Sequence, residues 1–277
     1  PTPPPPTTAS TWVPPTTMQV KEVAGVGVET LSGLEYFTDT TCVRYEMYYC
    51  LEFAPKLGMR PVKTFDGDET VVAPSALAMS ETLSNVERLW VNLFDQNDFE
   101  LINRVHKDIF EVSDISSLIA NTLFATTSYS YTYLSNTPPT LSSEKRLTFT
   151  LHSPLDLVVI NNRGDKVSSS SEEIDGSTYQ RYGEVQYISI PDSGNPATAV
   201  LNGEATGSFT FEIATFANGI LDKRHSYSAI PSSTSTKATI IVDTDLPLAT
   251  TPLQVDYDGN GTNDVSYDTK GVIVPKI

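Results

Sequence analysis

The sequence lacks features that would place it in several familiar classes of protein. No apolar run approaches the ~18 to 20 residues that a membrane-spanning helix needs, so we expect no transmembrane segment. Basic residues are scarce, since 18 Lys and Arg stand against 34 Asp and Glu in 277 residues and give a net charge of −16. This excess of acid repels nucleic-acid phosphates and anionic membrane surfaces. A nucleic-acid partner is therefore excluded.

Cysteine is almost absent, and Cys42 and Cys50 are the only two in the chain. They lie in a Tyr- and Phe-rich stretch, Gly33–Leu57, that is expected to form a β-hairpin insertion. Their spacing suits a disulfide across such a hairpin, and two free buried thiols are the alternative. A Ser/Thr/Pro-rich, acidic, Lys-poor chain is typical of an exported protein, extracellular or on the cell surface, where a disulfide persists. The chain begins with Pro and shows no signal-peptide pattern, as a processed fragment would.

The chain also lacks a G-x-S-x-G motif, the sharp turn that carries the serine of an α/β-hydrolase. It does contain an acid and a histidine in the order that such enzymes use: Asp68, in the segment Gly67–Val72, and then His106. An aspartate that orients a catalytic histidine must be held by a tight turn after a strand, so that its carboxylate reaches the imidazole. The simpler interpretation is a solvated acidic turn and an ordinary surface histidine.

Residues 18–126 alternate predicted strands with predicted helices, as an α/β layer does. We expect strands at Met18–Thr30, Arg60–Phe65 and Val86–Phe94, and a helix that starts near Ser75. A second helix of about three turns follows Ser113, which is a candidate cap. Its apolar face is formed by Ile115, Leu118, Ile119, Thr122 and Leu123.

Beyond a turn-prone break at Asn136–Pro139, the pattern is β throughout. Short runs rich in β-branched and aromatic residues are separated by Asn, Asp and Gly turns. These runs are Leu147–Leu151, Leu155–Ile160, Val185–Ile190, Ser208–Ile213 and Ala238–Val242. Their spacing, without helical periodicity, predicts an antiparallel β-sandwich.

The fold class is therefore α/β plus all-β, in three segments. Residues 1–17 are a Pro/Thr-rich linker or arm, in which Trp12 and Val13 are the candidate anchors. Residues 18–136 form the α/β part, and residues 137–277 form the β-sandwich.

Three stretches of the α/β part carry a resemblance as a set. They read M-Q-V-K-E-V-A-G-V-G-V-E-T from Met18, T-F-D-G-D-E-T-V-V-A-P-S-A from Thr64, and V-H-K-D-I-F-E-V-S-D-I-S-S-L-I from Val105. Together they resemble lipase-like α/β-hydrolases of the lecithin:cholesterol acyltransferase type. In that group a strand ending in G-x-G-x-x-T is followed by a G-D-G-T-V-P-x-x-S-A acid loop, and then by a histidine before the last helix.

The resemblance, from Met18 to about Thr126, implies the C-terminal half of a hydrolase sheet, with Asp68 as the triad acid and His106 as the triad base. The acid loop departs from the pattern of the group at Glu69, after the aspartate, and at Val72–Ala73, where a proline is common. The chain also lacks the serine, the oxyanion-hole amides and the first half of the sheet. A histidine and an aspartate without a serine cannot form an acyl-enzyme. The resemblance thus implies a chain that is inactive alone, and whose partner is an upstream segment or separate chain with the nucleophile.

The β-sandwich part begins with H-S-P-L-D-L-V-V from His152, followed by N-N-R-G from Asn161. This resembles the S-P-V-D-L-x-V-x-D-P-x-G opening of β-sandwich domains attached to bacterial surface hydrolases. A strand followed by a glycine turn would read in much the same way.

A calcium loop is predicted near the end of the chain. Asp256, Asp258 and Asn260 offer side-chain oxygens at positions 1, 3 and 5, Thr262 a backbone carbonyl at 7, and Asp264 a carboxylate at 9, as a Ca²⁺ loop requires. Tyr267 stands where an EF-hand needs Glu. The segment therefore resembles the D-x-D-G-N-G loops between strands of exported proteins, with Asp268 as a further candidate ligand. An Asx/Gly turn without metal is the alternative.

Two functions follow from these patterns. The first is the C-terminal portion of a secreted serine hydrolase that acts on an ester or lipid, of the lipase, esterase or acyltransferase kind. The second is a non-catalytic, calcium-stabilised β-sandwich that serves in binding or surface assembly. Half of a hydrolase sheet would expose a strand edge and an apolar face, so we expect another polypeptide to cover residues 18–126.

Overall fold

A computed structural model describes residues 13–46, 49–80, 82–124, 130–140, 145–245, 251–268 and 273–274. It divides into two compact units, the first formed by Pro1–Ser32 with Lys63–Ser142 and the second by Gly33–Val62 with Ser143–Ile277. The sequence suggested a linker over residues 1–17 and domain boundaries at 18–136 and 137–277. The difference lies in the hairpin insertion, which belongs to the second unit because its side chains bond to the strands of that unit.

The first unit contains short strands and helices, and the two hairpin strands run out of it. In chain order the elements are β1 (Val20–Val26), β2 (Thr30–Glu46), β3 (Tyr49–Thr64), α1 (Ala73–Ala76), β4 (Val86–Asn92), α2 (Leu93–Glu100), a 3₁₀ helix (His106–Glu111), α3 (Ser113–Phe124) and β5 (Leu134–Ser135).

Strands β1 and β4 are parallel, with Val20 opposite Val86 and Val26 opposite Asn92. Strand β5 is antiparallel to β4, which makes a sheet of order β1-β4-β5 among the described residues. One face of this sheet packs on α3, where Val91, Leu93, Ile115 and Leu118 belong to one buried apolar cluster. Two parallel strands with helices form a small α/β layer, and a complete hydrolase half stays a prediction.

The strand predicted at Val86–Phe94 ends earlier than expected, and helix α2 follows it at once. Asn92 caps this helix, because its side-chain oxygen accepts a hydrogen bond from the Asp95 N–H at 3.1 Å. An Asn cap inside an apolar run is a weak signal, since Leu93 and Phe94 suit a strand and a helix equally.

Both helices predicted from the sequence are present in the first unit. Helix α1 is a single turn with Pro74 near its start. Helix α3 starts with Ser113 itself, which was expected to cap the helix from outside, and it buries Ile115 and Leu118. Ile119 and Leu123 of the same predicted face are exposed, at 44% and 71%.

Strands β2 and β3 form the predicted hairpin, and Cys42 is bonded to Cys50 across it. The disulfide expectation is therefore confirmed, and free thiols are excluded. This bond closes a short loop near the tip of the hairpin.

The second unit continues with strands only, as far as the chain is described. These are β6 (Lys145–His152), β7 (Leu155–Ile160), β8 (Lys166–Ser168), β9 (Ser171–Glu172), β10 (Thr178–Tyr182), β11 (Val185–Pro191), β12 (Ala197–Gly203), β13 (Gly207–Ala217), β14 (Ile220–Ser232), β15 (Lys237–Val242), β16 (Leu253–Asp256), β17 (Val265–Tyr267) and β18 (Ile273–Val274).

Within the described ranges these strands form two antiparallel sheets, of order β10-β11-β6-β13-β14 and β18-β17-β16-β15-β12-β7-β8-β9. Residues of both sheets, such as Phe149 and Phe211 of the first and Leu157 and Leu201 of the second, belong to one buried apolar cluster. Two sheets that share one core are the arrangement of a β-sandwich. The five strands expected from the sequence are all present.

Most of the Pro/Thr-rich segment, including Trp12, lies outside the described residues. Its end is attached to the first unit, since the side-chain amide of Asn85 donates to the carbonyls of Pro15 at 3.1 Å and Met18 at 2.8 Å. Val13 is exposed. None of the described helices has the length and apolarity needed to cross a membrane.

Candidate functional site

The aspartate of the candidate site lies in a loop that extends the sheet of the first unit. Gly27 donates its N–H to the Phe65 carbonyl at 2.7 Å, and Val28 donates to the Gly67 carbonyl at 3.1 Å. Val28 and Asp68 form an isolated parallel bridge. The acid loop, residues Asp66–Val72, is therefore held beside the C-terminal end of β1.

The carboxylate of Asp68 is buried and oriented by its own loop. Its side chain is 4% exposed, and its Oδ1 accepts hydrogen bonds from the N–H groups of Val71 at 2.8 Å and Thr70 at 3.3 Å. This Asx-type turn leaves Oδ2 free to bind another group. Burial also raises the pKa of the neighbouring Asp66.

Gly25 of β1 allows Asp68 to lie this close to the sheet. A Cβ at position 25 would be 2.8 Å from the Asp68 Cβ and 3.3 Å from its Oδ2. Any larger residue would push the carboxylate away from its position.

Thr30, at the start of β2, ties the next residue of the loop. Its side chain is fully buried, and its Oγ1 accepts from the Glu69 N–H at 2.8 Å and donates to the Val28 carbonyl at 2.8 Å. Glu69 has a φ of 83°, a left-handed conformation that is uncommon for any residue but glycine. The bond from Thr30 therefore stabilises a strained residue next to Asp68.

His106 is placed by a loop that helix α2 holds in shape. Asn97 donates from Nδ2 to the Arg104 carbonyl and accepts from the Arg104 N–H at Oδ1, both at 2.8 Å. Asp108 then caps the 3₁₀ helix by accepting from the Val105 N–H at 3.2 Å. The histidine is the first residue of that helix and has a fixed backbone position.

The structure brings His106 and Asp68 together, as the sequence predicts. The Nδ1 atom of His106 lies 2.8 Å from Oδ2 of Asp68. The His106 N–H also donates to the Asp68 carbonyl at 2.8 Å. The imidazole is 46% exposed, and its Nε2 has no hydrogen-bond partner among the described residues.

This geometry can support general-base chemistry at Nε2. When Nδ1 carries the proton that is donated to the carboxylate, Nε2 holds a lone pair and can take a proton from a nearby hydroxyl. A comparison with family models, curated proteins and solved structures finds no match for this chain. The function must therefore be argued from the site itself.

The segments on either side of His106 expose large apolar side chains. Phe99 and Leu101 are 81% and 89% exposed, and Phe110 is 72% exposed. In helix α2 the polar Gln96 is fully buried, with its Oε1 unpaired among the described residues. A helix that buries Gln and exposes Phe reverses the usual pattern, which is typical of a surface that binds another molecule.

The predicted metal loop brings three carboxylates together in the second unit. Oxygen atoms of Asp256, Asp258 and Asp264 lie within 4.8 Å of one another. Asp256 is buried, and it accepts hydrogen bonds from the N–H groups of Gly259 and Gly261, both at 2.8 Å. Burial raises the pKa of Asp256, but the bonds from Gly261 and Gly259 outweigh it, and the net pKa lies below the ordinary value. This cluster could hold a metal ion.

Two further predicted ligands, Asn260 and Asp268, have other roles in the structure. Asn260 accepts from the Thr262 N–H at 2.8 Å and donates to Asp258 at 2.9 Å, so it braces the loop. Asp268 is not part of the carboxylate cluster. Its negative charge instead acts on the buried Tyr227, whose pKa is raised to about 12 by burial first and by Asp268 second.

Sequence reasoning did not single out Thr30, Asn97 or Gly25. The signal for two of them was present, because Gly25 and Thr30 are the first and last residues of the G-x-G-x-x-T pattern. In the sequence this pattern served only as a resemblance to a family. The contacts show that Gly25 makes room for Asp68 and that Thr30 holds Glu69. Asn97 carries no such signal, since a single Asn in a helix is common.

Proposed function

We propose that this chain supplies the acid and the base of a serine hydrolase, with Asp68 orienting His106 and the serine provided by another polypeptide segment or chain. The observation that carries the proposal is the 2.8 Å contact between Nδ1 and Oδ2, together with a half-exposed imidazole whose Nε2 has no hydrogen-bond partner among the described residues. A purely structural Asp–His pair does not require Nε2 to stay accessible.

The chemistry assigned to the pair is the ordinary chemistry of a triad. Nε2 removes the proton of the serine hydroxyl as the serine attacks the ester carbonyl, and it later returns that proton to the leaving alcohol. Asp68 stabilises the imidazolium that forms between these two steps. The oxyanion hole would come from the part that carries the serine.

Two features of the first unit support a partner. Strand β1 is at the edge of its sheet among the described residues, so backbone groups are available for a further strand. Phe99, Leu101 and Phe110 are each largely exposed, and such a partner could cover them. No G-x-S-x-G occurs in the 277 residues, which is why the proposal assigns the serine to another segment or chain.

The test is labelling with a fluorophosphonate, which reacts with activated serines. The tagged chain is purified alone and, separately, as the assembly that it forms in its native host. We expect no label on the chain alone, and a label on another polypeptide in the assembly. Absence of a label from both preparations would favour the non-catalytic alternative, a β-sandwich for binding or surface assembly.

We also propose that the carboxylate cluster of the second unit binds Ca²⁺. Asp256, Asp258 and Asp264 supply hard oxygen ligands, and the short loop between β16 and β17 brings them together, as Ca²⁺ sites require. The role would be structural, since the loop joins two strands of the sandwich. A calcium site and a disulfide both suit export to an oxidising, calcium-rich exterior, which is where we place the protein.

A further inference from the structure

The β2–β3 hairpin is attached to the sandwich of the second unit through polar contacts. Arg60 of β3 donates from Nη2 to Oε1 of Glu212 in β13 at 2.8 Å, and their side chains are only 12% and 5% exposed. Nearer the tip, the hydroxyls of Thr41 and Ser208 are 2.8 Å apart, and the Cys42 N–H donates to the same Ser208 oxygen at 3.3 Å. The inner face of the hairpin is therefore held by a buried ion pair and by hydrogen bonds.

Phe37 is an aromatic residue of this inner face. Its ring lies 3.7 Å from the guanidinium of Arg60 and meets the buried His152 edge-on at 5.8 Å. Gly58 of the other strand makes room for the ring, because a Cβ there would lie 2.6 Å from it. Successive side chains of a strand point to opposite faces. Odd-numbered residues of β2 near Phe37 and even-numbered residues of β3 near Gly58 therefore face the sandwich.

The outer face of the hairpin is apolar and exposed. The alternate positions of the two strands carry large apolar side chains that are between 40% and 71% exposed, namely Leu34, Tyr36, Leu51, Phe53 and Leu57. We call these five residues the apolar face. A sheet with one solvated face usually has the reverse pattern, with apolar residues inside and polar residues outside. An exposed apolar patch of this kind is typical of a surface that binds another protein.

The hairpin presents the apolar face in a fixed form. A two-stranded sheet alone is marginally stable in water. Here the disulfide between Cys42 and Cys50 joins the strands near the tip, and the Arg60–Glu212 pair anchors the opposite part. A surface that is already ordered loses little conformational entropy when it binds, so more of its apolar burial remains as affinity.

The charge of the hairpin differs from that of the rest of the chain. Residues 33–62 carry three basic and four acidic residues, a net charge of −1, whereas the remaining residues carry −15. The acidic remainder repels a second copy and an anionic lipid surface alike, and the hairpin does so least. The hairpin also exposes charges of both signs, on Arg44, Glu52 and Lys56. In a symmetric pair of hairpins each cation can therefore meet an acid of the other copy.

We propose that the apolar face is the interface of a homodimer, in which the hairpins of two copies of this chain pack face to face. A two-fold interface uses the same patch on both subunits, and a face of Leu, Phe and Tyr is self-complementary in this sense. The second copy lacks G-x-S-x-G as well. It is therefore distinct from the partner to which the proposed function assigns the serine, and the inference does not depend on that function.

The test measures the oligomeric state of the full chain by sedimentation velocity over a range of micromolar concentrations. The variant is Leu57→Lys, and the matched control is Leu123→Lys in α3, because both leucines are 71% exposed. We expect a dimer for the wild type and the control. Leu57→Lys should raise the dissociation constant at least about tenfold, because burial of one leucine per subunit is worth more than a tenfold change in affinity.

Cross-linking shows which surface is used. Chains grown with ¹⁴N and with ¹⁵N are mixed and treated with a carbodiimide, which joins lysine to carboxylate groups. We expect mixed-isotope peptides that contain Lys56 or Glu52 in the wild type, and their loss in Leu57→Lys. The circular dichroism spectrum of this variant should match that of the wild type, since the side chain is exposed. If Leu57→Lys does not fold, Tyr36→Lys on the other strand should give the same two changes.

The inference is overturned if the wild type sediments as a monomer throughout the range. It is overturned equally if the dimer survives Leu57→Lys and Tyr36→Lys, or if Leu123→Lys weakens it as much. None of these results changes the expected fluorophosphonate labelling, so failure of the dimer and failure of the proposed function are separate outcomes.

Discussion

The Nδ1 atom of His106 and the Oδ2 atom of Asp68 are 2.8 Å apart, and a backbone hydrogen bond from the His106 N–H to the Asp68 carbonyl joins the same two residues. Two bonds between residues that are far apart in the chain fix both the position and the rotation of the imidazole. The arrangement leaves the second ring nitrogen, Nε2, without a partner among the described residues, on an imidazole that is 46% exposed.

Thr30→Val should loosen the acid loop. The variant removes the only side-chain acceptor that the structure shows for the Glu69 N–H, and Glu69 is strained. We expect the free energy of unfolding to fall by about 1–3 kcal/mol, as when a buried hydrogen-bonding group is left unpaired. Urea denaturation measures this, and Thr30→Ser, which keeps the hydroxyl, should restore most of it. Equal stability of the valine variant and the wild type would contradict the role.

Removal of the disulfide should destabilise the second unit. The double variant Cys42→Ser/Cys50→Ser opens a short loop, for which chain entropy predicts a loss of about 2–3 kcal/mol. Urea denaturation of the variant beside the oxidised wild type measures it, and the reduced wild type should match the variant. An unchanged urea midpoint would mean that the contacts of Ser208 hold the hairpin without the bond.

Calcium should raise the melting temperature of the chain, and a chelator should lower it. An ion that binds only the folded state at 100 times its Kd stabilises by about 2.7 kcal/mol. Asp258→Asn should abolish the response, because Asp258 belongs to the carboxylate cluster. Asp222→Asn, an exposed acid elsewhere in the unit, is the control and should keep it. Identical melting curves with Ca²⁺ and with chelator would remove the calcium proposal.

Tyr227 should limit stability at alkaline pH. Its side chain is fully buried, its hydroxyl donates to the Thr251 carbonyl, and its pKa is raised to about 12. An unfolded tyrosine ionises near pH 10. The stabilising contribution of the neutral phenol is therefore complete below about pH 10 and is lost as the pH rises through the folded pKa. Stability measured against pH should fall less steeply in this range for Tyr227→Phe, and parallel curves would contradict the prediction.

Much of the fold could be predicted from the sequence because its signals are local. In the sandwich, runs rich in β-branched residues are separated by turns that contain Asn, Asp and Gly. Each of the five runs predicted as a strand is a strand in the structure. The face of α3 is read from the spacing of Ile115 and Leu118. These elements follow from patterns within a few residues.

Helix α2 and the unit boundary could not be predicted for physical reasons. The start of α2 depends on one side-chain bond of Asn92, in a run of residues that suits a strand equally well. The boundary depends on Arg60 and Thr41 meeting Glu212 and Ser208, which are distant in sequence. A pattern along the sequence does not show which distant residues will be in contact.

The candidate site was predictable in its two central residues and not in their supports. Asp68 follows a strand and His106 precedes a helix, and this order is visible in the chain. The burial of Asp68 against Gly25 and the bracing of the His106 loop by Asn97 depend on tertiary packing. The same holds for Asp268, which is near the metal loop in sequence but acts on Tyr227.

The central claim is that Nε2 of His106 activates a serine on another polypeptide. The most direct measurement is the rate of fluorophosphonate labelling of the native assembly formed with His106→Gln, compared with assemblies formed with the wild type and with His225→Gln as the control. We predict that His106→Gln lowers the rate by about 10⁶-fold, as loss of a triad base does, and that His225→Gln leaves it unchanged. Equal labelling of all three assemblies would contradict the account.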